Sequence, residues 1–244
     1  MSWRDALRTR LTDLGVVDEV RTARHWVRSR GGRSDRQLID AHLASTSSPR
    51  LQLGCGTRLL DGWLNSDFSP RSTGAIRIDA TKPLPFDDST FAYVYSEHMI
   101  EHIDHLAGQR LLGELHRVMR PGGRIRLSTP DLGRLLGLFG PADARTDDER
   151  RYIDLIIDRH VAGVEPGDDN PVYVLNNNLR DWGHQFLYDR PTFRAALARA
   201  GFVDIEEFAL QDSDDPILSG LANEARMPPG LVAFETMTFE AVAP

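Results

Sequence analysis

Short apolar runs alternate with stretches of helical periodicity through most of the chain. The runs are rich in β-branched and aromatic residues, which favour strands, whereas apolar residues three and four positions apart favour helices. This alternation predicts an α/β fold with a doubly wound sheet and helices on both faces. Strands are predicted over residues 51–53, 63–68, 75–79, 91–95, 124–128, 202–210 and 236–242, and helices over 97–105, 108–119, 147–161 and 191–200.

Two segments depart from this alternation. Residues 1–36 hold nine arginines against five acidic residues, with apolar positions spaced for an amphipathic helix. Residues 1–45 are therefore predicted to form a basic helical arm or lid, and its arginines are a candidate surface for an anionic or membrane-associated substrate. Residues 137–180, rich in proline, glycine and asparagine, predict a cap over the ligand crevice of a main domain that spans 46–244.

Composition narrows the classes of protein to consider. The formal net charge of −7 disfavours a nucleic-acid substrate, because proteins that bind nucleic acids usually present a basic face to the phosphates. No apolar run is long enough to cross a bilayer, and the N-terminus lacks the apolar core of a signal peptide. A cytoplasmic protein is expected, with residues 1–36 as the candidate for peripheral membrane contact.

The first predicted strand runs directly into a turn that contains Gly54 and Gly56. Glycine tolerates positive φ and has no Cβ, so the backbone here can lie against a ligand, at the sheet edge where open α/β folds bind nucleotide-like cofactors. Cys55, the only cysteine, cannot form an internal disulfide. It is predicted to pack beneath the cofactor, with a reactive nucleophile as the alternative.

The motifs that begin at this turn occur in an order that resembles the class I S-adenosylmethionine-dependent methyltransferases, and more closely their bacterial type 11 branch. They are Leu53-Gly54-Cys55-Gly56, Gly62-Trp63-Leu64-Asn65-Ser66-Asp67, Leu84-Pro85-Phe86, Ser96-Glu97-His98-Met99-Ile100-Glu101-His102-Ile103, Arg117-Val118-Met119-Arg120-Pro121-Gly122-Gly123 and Trp182-Gly183-His184-Gln185-Phe186. The resemblance implies a seven-stranded, Rossmann-like sheet whose last strand is antiparallel. It also implies S-adenosylmethionine as the cofactor and S-adenosylhomocysteine as the product.

The resemblance further implies which residues meet the cofactor. Gly54 and Gly56 would admit its methionine half, and Asp67, at the end of the second strand, would accept hydrogen bonds from the ribose hydroxyls. An ordinary turn aspartate is the alternative for Asp67. The full set of expected cofactor contacts is Leu53, Gly54, Cys55, Gly56, Asp67, Phe68, Asp79, Ala80, Ser96 and Glu97.

A group of titratable residues follows the fourth strand. His98, Glu101, His102 and His105 are spaced so that a helix would place them in one stripe. Methyl transfer from a sulfonium is an in-line displacement, and a hydroxyl acceptor loses its proton during it, so a histidine base is expected. His98 is the first candidate and His184 the second, with Glu101 and His102 as further catalytic candidates; solvated histidines, or core histidines satisfied by the backbone, are the alternative.

The same residues raise the question of a metal. His98, Glu101 and His102 form the ligand pattern of inverted zinc peptidases, although the surrounding sequence does not favour a peptidase. The small-RNA and ubiquinone-pathway methyltransferases, which place two glutamates and a histidine here, can bind a divalent ion. With His184 added, a nitrogen-rich site would suit zinc, iron or manganese better than magnesium. A divalent ion stays an open alternative, and no metal ligand is assigned.

The sequence therefore predicts an S-adenosylmethionine-dependent methyltransferase that acts on a hydroxyl of a small-molecule, sugar or lipid-linked acceptor. One rival is a nicotinamide-dependent oxidoreductase, which is disfavoured because Leu59 stands where a G-x-G-x-x-G motif has its third glycine. The other rival is a noncatalytic module that binds the cofactor without turnover.

Overall fold

The computed structural model describes residues 35–165 and 167–244. The basic arm predicted over residues 1–45 is thus described only from residue 35 onward, and the amphipathic helix expected before it lies outside the described residues. The strands are β1 (Arg50–Leu53), β2 (Leu64–Asp67), β3 (Ala75–Arg77), β4 (Phe91–Glu97), β5 (Met119–Pro130), β6 (Val203–Phe208) and β7 (Thr236–Val242). The helices are α1 (Asp35–Ser45), α2 (His105–Val118), α3 (Leu132–Gly137), α4 (Asp147–His160), α5 (Pro171–Arg180), α6 (Arg190–Arg199) and α7 (Leu231–Glu235).

The seven strands form one sheet in the order β3-β2-β1-β4-β5-β7-β6. Strands β1 to β5 pair in parallel, whereas β7 runs antiparallel to both β5 and β6. The predicted seven-stranded, doubly wound sheet with an antiparallel last strand is confirmed. Because β1 and β4 are neighbours although β2 and β3 lie between them in sequence, the chain reverses direction across the sheet at β1, and open α/β sheets bind ligands at such a point.

The main core lies between the central strands and the helices that cover them. Leu51 and Val94 in neighbouring strands are fully buried, as are Leu112 and Leu115 on the inward side of α2. Helix α2 begins at an N-cap, Asp104, whose side chain accepts a hydrogen bond from a backbone amide, and it packs against β5 and α6. These contacts hold the carboxyl ends of β1 and β4 in fixed positions, and the candidate site is built there.

The predicted cap segment contains α4 and α5. Helix α4 matches the helix predicted over 147–161 and begins with a capping box formed by Thr146 and Glu149. Both helices pack with α3 and α7 around a second apolar cluster that includes Leu135, Tyr152 and Val174. Helix α1 packs against β2 and β3. The division of the chain into an arm and a main domain at residue 45 stays a prediction.

The helix predicted over 97–105 is wrong. Strand β4 continues to Glu97, His98 adopts a left-handed φ of 48°, and only a single 3-10 turn, Ile100–His102, follows before α2 begins at His105. A left-handed residue cannot continue either a strand or a right-handed helix, so it redirects the chain at this point. The stripe of four titratable residues therefore does not form as one helix face.

No helix within the described part of the chain is long and apolar enough to span a membrane.

Candidate active site

The glycine turn after β1 has the backbone geometry that the sequence predicts. Gly54 and Gly56 have φ values of 75° and 55°. A Cβ on Gly54 would lie 2.6 Å from Cγ of Met99, whereas a Cβ on Gly56 would meet no atom within 4 Å. Gly54 is thus required for close packing within the protein, and Gly56 faces open space where a ligand can approach the backbone.

A cavity of about 310 Å³ opens beside this turn, within the size range of small-molecule sites. Five predicted residues line it: Gly54, Cys55, Gly56, Glu97 and His98. Five lining residues were not predicted: Gln52, Thr57, Arg58, Asn223 and Arg226. The side-chain oxygen Oε1 of Gln52 is buried and has no hydrogen-bond partner among the described residues. Asn223 and Arg226 reach the cavity from more than 120 positions away along the chain, and no local motif indicates them.

Asp67 ends β2 and joins the two loops next to the cavity. Its Oδ2 accepts a hydrogen bond from the backbone amide of Gly56 at 2.9 Å, and its Oδ1 accepts one from the amide of Ser69 at 2.8 Å. Each carboxylate oxygen keeps a second lone pair. The carboxylate is therefore held rigidly at the carboxyl edge of the sheet with acceptor capacity to spare, as the predicted ribose contact requires.

Cys55 is buried between the two glycines, and its backbone amide donates to the carbonyl of Ser66 at 2.9 Å. Burial, aided by the negative charge of Asp67, raises the pKa of the Cys55 thiol to about 11. The thiol is therefore protonated near neutral pH. This environment opposes the alternative of a reactive nucleophile, since the thiolate is the reactive form.

At the end of β4, Glu97 lines the cavity, whereas Ser96 is buried within the sheet. The Glu97 carboxylate accepts the backbone amide of Asn223 at 3.0 Å and the hydroxyl of Tyr95 at 3.1 Å, which ties the strand to the C-terminal part of the chain. Ser96 is buried and donates to the carbonyl of Leu53 at 2.9 Å. Ser96 and Leu53 thus join β4 to β1, and neither lines the cavity.

The other predicted cofactor contacts lie along the edge beyond Asp67, outside the cavity lining. Phe68 is 55% exposed, with the guanidinium of Arg77 5.3 Å from its ring centre. Asp79 accepts hydrogen bonds from the hydroxyl and amide of Thr81, and the hydroxyl contact contributes most to lowering the pKa of Asp79. Ala80 is half-buried against the main core. An exposed ring and a fixed carboxylate at this edge are available to a ligand that extends past Asp67.

His98 and Glu101 form a buried pair next to the cavity. Nδ1 of His98 lies 3.1 Å from Oε1 of Glu101, and its Nε2 lies 2.8 Å from the hydroxyl oxygen of Thr236. The second carboxylate oxygen of Glu101 accepts a hydrogen bond from Thr129 at 3.1 Å.

The surroundings of Glu101 lower its pKa and favour one tautomer of His98. Burial works to raise the pKa of Glu101, but the contact with His98 and the charges of His98 and His102 outweigh it and lower the pKa. An ionised Glu101 favours the tautomer of neutral His98 that carries its proton on Nδ1. Nε2 is then the basic nitrogen, and it accepts a hydrogen bond from Thr236.

His184, the second base candidate, lies on the other side of Glu101. Its Nδ1 donates to the carbonyl oxygen of Asn178 in α5 at 2.7 Å, which leaves the lone pair of Nε2 free in the neutral ring. Burial is the largest influence on the pKa of His184 and lowers it, against the raising effects of Asn178 and Glu101. The ring of His102 meets that of His184 edge-on at 4.9 Å.

The structure therefore brings together four of the five titratable side chains that the sequence singles out. His98, Glu101, His102 and His184 are neighbours, and one ligand atom from each of the last three lies within 4.8 Å of the others. His105 does not join them. Its ring packs 4.5 Å from that of Phe186, and Nε2 contacts Gln109 at 2.7 Å.

A second polar network, which the sequence did not indicate, connects the cap to the cavity. Tyr152 in α4 is buried and donates its hydroxyl to Glu235 at 2.7 Å, and Glu235 lies 3.6 Å from the guanidinium of Arg226. Burial, with the Glu235 charge, raises the pKa of Tyr152 well above its ordinary value, so the hydroxyl stays a donor. The amide of Asn178 also approaches this hydroxyl, at 3.4 Å. The cap thus supports Arg226, which lines the cavity.

Part of the sequence matches a known protein family. Residues 51–127, which span β1 to most of β5, match the family model for a methyltransferase domain. No match to a curated protein was found. Similar solved structures include an S-adenosylmethionine-dependent methyltransferase from Mesorhizobium loti, 18% identical over 83% of this chain and 96% of that chain, with a TM-score of 0.46. An Archaeoglobus fulgidus methyltransferase is 15% identical over 85% of this chain and 94% of that chain, with a TM-score of 0.47.

The family match and the sheet topology are separate observations, and both agree with the predicted fold. The matched segment contains the glycine turn and the end of β4, which line the cavity, and Asp67, which is not in the lining but accepts the amide of Gly56. The sheet order with β7 inserted antiparallel between β5 and β6 lies partly outside that segment. Residues 51–127 are thus similar to a methyltransferase domain, and they carry the part of the sheet edge where the cavity opens.

Proposed function

We propose that the protein methylates a hydroxyl oxygen of a small-molecule, sugar or lipid-linked acceptor, with His98 as the general base. The observation that supports this proposal is the buried His98–Glu101 pair beside the cavity. A carboxylate that holds one imidazole nitrogen protonated makes the other nitrogen the proton acceptor. Thr236 already presents a hydroxyl to this nitrogen at 2.8 Å, the same contact that an acceptor hydroxyl needs.

The residues at the edge of the sheet fit the cofactor. The turn at Gly54 and Gly56 leaves open space beside the backbone, and Asp67 keeps acceptor capacity for the ribose hydroxyls. When bound, S-adenosylmethionine supplies the methyl group, and S-adenosylhomocysteine is the product. The remaining expected contacts, Glu97 in the cavity lining and Phe68, Asp79 and Ala80 along the edge, extend the cofactor site past Asp67.

In this proposal the chain contributes position and proton removal. The glycine turn and Asp67 hold the donor, and His98 removes the proton of the acceptor hydroxyl as the new oxygen–carbon bond forms. A general base of this kind contributes about 10²–10⁴-fold to the rate. Glu101 stabilises the imidazolium that results, because its carboxylate is buried and contacts Nδ1 directly.

We assign acceptor choice to the cap over residues 137–180. Its helices reach the cavity through Tyr152, Glu235 and Arg226, and a guanidinium in the lining suits an acceptor that carries an anionic group. The nine arginines within residues 1–36 favour the same kind of acceptor. An unpaired, buried cysteine fits a reducing compartment, and we propose the cytoplasm as the place of the reaction.

The test measures release of S-adenosylhomocysteine from a panel of hydroxyl, amine and thiol acceptors. With a hydroxyl acceptor, we expect His98→Gln to lower kcat by about 10²–10⁴-fold while the Kd for S-adenosylhomocysteine changes little, because the base is lost and the ring's space is largely filled. His160→Ala, an exposed histidine at the end of α4, is the matched control and should retain full turnover.

Three results would contradict the proposal. Undiminished turnover of a hydroxyl acceptor by both His98→Gln and His98→Ala would exclude His98 as the base. Turnover confined to amine acceptors would exclude the hydroxyl, because a neutral amine attacks the methyl group without prior help from a base. Cofactor binding without turnover of any acceptor in the panel would favour a noncatalytic binding module.

A further inference from the structure

Three side chains with metal-binding atoms converge behind His98. Glu101, His102 and His184 each place one ligand atom within 4.8 Å of the other two. Glu101 is fully buried, and the contact of its Oε1 with Nδ1 of His98, at 3.1 Å, leaves that oxygen a second lone pair. A buried carboxylate is costly unless positively charged or hydrogen-bonding partners compensate it, and a cation can use the remaining lone pair.

The two histidines also present free nitrogen atoms. His184 donates Nδ1–H to the carbonyl of Asn178, so its Nε2 lone pair is free. The ring nitrogens of His102 have no hydrogen-bond partner among the residues described by the structure. Metal-ligating histidines in proteins usually donate their other ring nitrogen to a backbone carbonyl or a carboxylate, as His184 does here.

The backbone holds the three residues together without any ion. The carbonyl oxygen of Glu101 accepts the amide of Gln185 at 2.7 Å, and the side chain of Gln185 donates to the carbonyl of His102 at 2.8 Å. The segment that carries His184 is thus attached directly to the turn that carries Glu101 and His102. Thr129 holds the remaining carboxylate oxygen of Glu101 at 3.1 Å.

From this arrangement we infer that Glu101, His102 and His184 bind one divalent transition-metal ion, of which zinc is the best-suited example. Two imidazoles and one carboxylate are a donor set for zinc, iron or cobalt rather than for magnesium or calcium, which prefer oxygen. A tetrahedral site with bonds of about 2.0–2.2 Å has ligand atoms roughly 3.3 Å apart. The side chains need to approach by up to about 1.5 Å, which rotation of the partly exposed imidazoles supplies.

His98 is excluded from the ligand set by its own contacts. Its Nδ1 contacts Glu101, and its Nε2 contacts the hydroxyl of Thr236 and is the nitrogen assigned to the acceptor proton. Three protein ligands leave a coordination position open, and such sites bind water or a substrate oxygen. The role of the ion rests on the proposed function and deepens it. The ion would offer its open position to an oxygen of the acceptor, with His98 between the ion and the cofactor cavity.

The test uses the full chain, stripped of metal with a chelator and titrated with zinc chloride by calorimetry. We expect one zinc ion per chain in the wild type. Replacement of one ligand, in His102→Ala or His184→Ala, should weaken zinc binding by more than about 100-fold, since even outer-shell partners of a metal contribute 10–100-fold. His160→Ala is the matched control, because it removes an exposed histidine whose ring lies 5.1 Å from that of Trp182 but leaves the three ligands intact.

Cobalt provides a second readout that does not depend on turnover. Wild-type protein titrated with cobalt chloride should show visible absorption of a low-coordinate nitrogen and oxygen site, and Glu101→Gln, which keeps the size of the side chain, should lose it. Each variant is also titrated with S-adenosylhomocysteine, which confirms that it is folded.

The two titrations separate the metal site from the proposed function. S-adenosylhomocysteine binding without zinc binding, or zinc binding that is equal in the wild type and both ligand variants, would overturn the metal site alone. One zinc ion that is lost in both ligand variants and retained in His160→Ala would support the site, even if no hydroxyl acceptor were ever turned over.

Discussion

Asp67 offers the most direct test of the cofactor site. Its two oxygens accept the amides of Gly56 and Ser69, so the carboxylate keeps its place with or without a ligand. A hydrogen bond to a charged group contributes about 1.5–3 kcal/mol, and each 1.4 kcal/mol changes a Kd tenfold. Loss of one ribose hydrogen bond in Asp67→Ala should therefore weaken S-adenosylhomocysteine binding by about 10- to 150-fold.

Calorimetric titration of the metal-free protein measures this Kd. Asp61→Ala is the matched control, because Asp61 is an exposed acid in the turn between β1 and β2 and its removal changes the net charge equally. Asp67→Asn keeps the side-chain size and should fall between the wild type and Asp67→Ala, since its amide oxygen can still accept one hydrogen bond. Binding by Asp67→Ala within twofold of both the wild type and Asp61→Ala would refute the ribose contact.

Two further predictions concern the glycine turn. Gly54→Ala and Gly62→Ala both introduce a Cβ at a φ near 75°, but only the Cβ on residue 54 would meet Met99. In urea denaturation, Gly54→Ala should therefore lower the free energy of unfolding by about 1–3 kcal/mol more than Gly62→Ala does. Equal losses in the two variants would contradict the close packing at Gly54. Burial and the charge of Asp67 raise the pKa of the Cys55 thiol to about 11. Iodoacetamide at pH 8 should therefore label the native protein far more slowly than the guanidinium-unfolded protein, as measured by mass spectrometry. Equal labelling rates would contradict a buried, neutral thiol.

Most of the strands could be predicted because they carry buried apolar residues, such as Leu51, Ile76 and Val94, between turn residues. The antiparallel direction of the last strand could not be derived from the runs themselves and came from the family resemblance, and the order of the strands was not predicted. Helix α5 was missed because Asn176, Asn177 and Asn178 have low helix propensity. Its start was nevertheless readable, since Asn170 is an N-cap whose side chain accepts the amide of Val172, and a proline follows at the first helical position.

Among the residues that line the cavity, those in local motifs could be predicted, and those that arrive through long-range contacts could not. Gly54 and Gly56 were predicted because a turn directly after a strand is a local feature. Asn223 and Arg226 were not, because they reach the cavity only through long-range contacts: the amide of Asn223 bonds Glu97, and Arg226 is supported by Glu235. Such contacts have no periodicity or spacing along the chain that would mark them.

The titratable cluster shows why a wrong helix could still predict a nearly correct site. His98 and Glu101 are three positions apart, a spacing that brings side chains together in a 3-10 turn as well as in an α-helix, so their contact survives the change of local structure. His105 is seven positions from His98, and such a contact requires two uninterrupted helical turns. The left-handed backbone at His98 and the new helix start after Asp104 remove that continuity, so His105 packs on Phe186 instead. His184 lies next to Glu101 instead, because the backbone amide of Gln185 donates to the carbonyl oxygen of Glu101. A distant segment of the chain thus completes the cluster that the predicted helix stripe did not form.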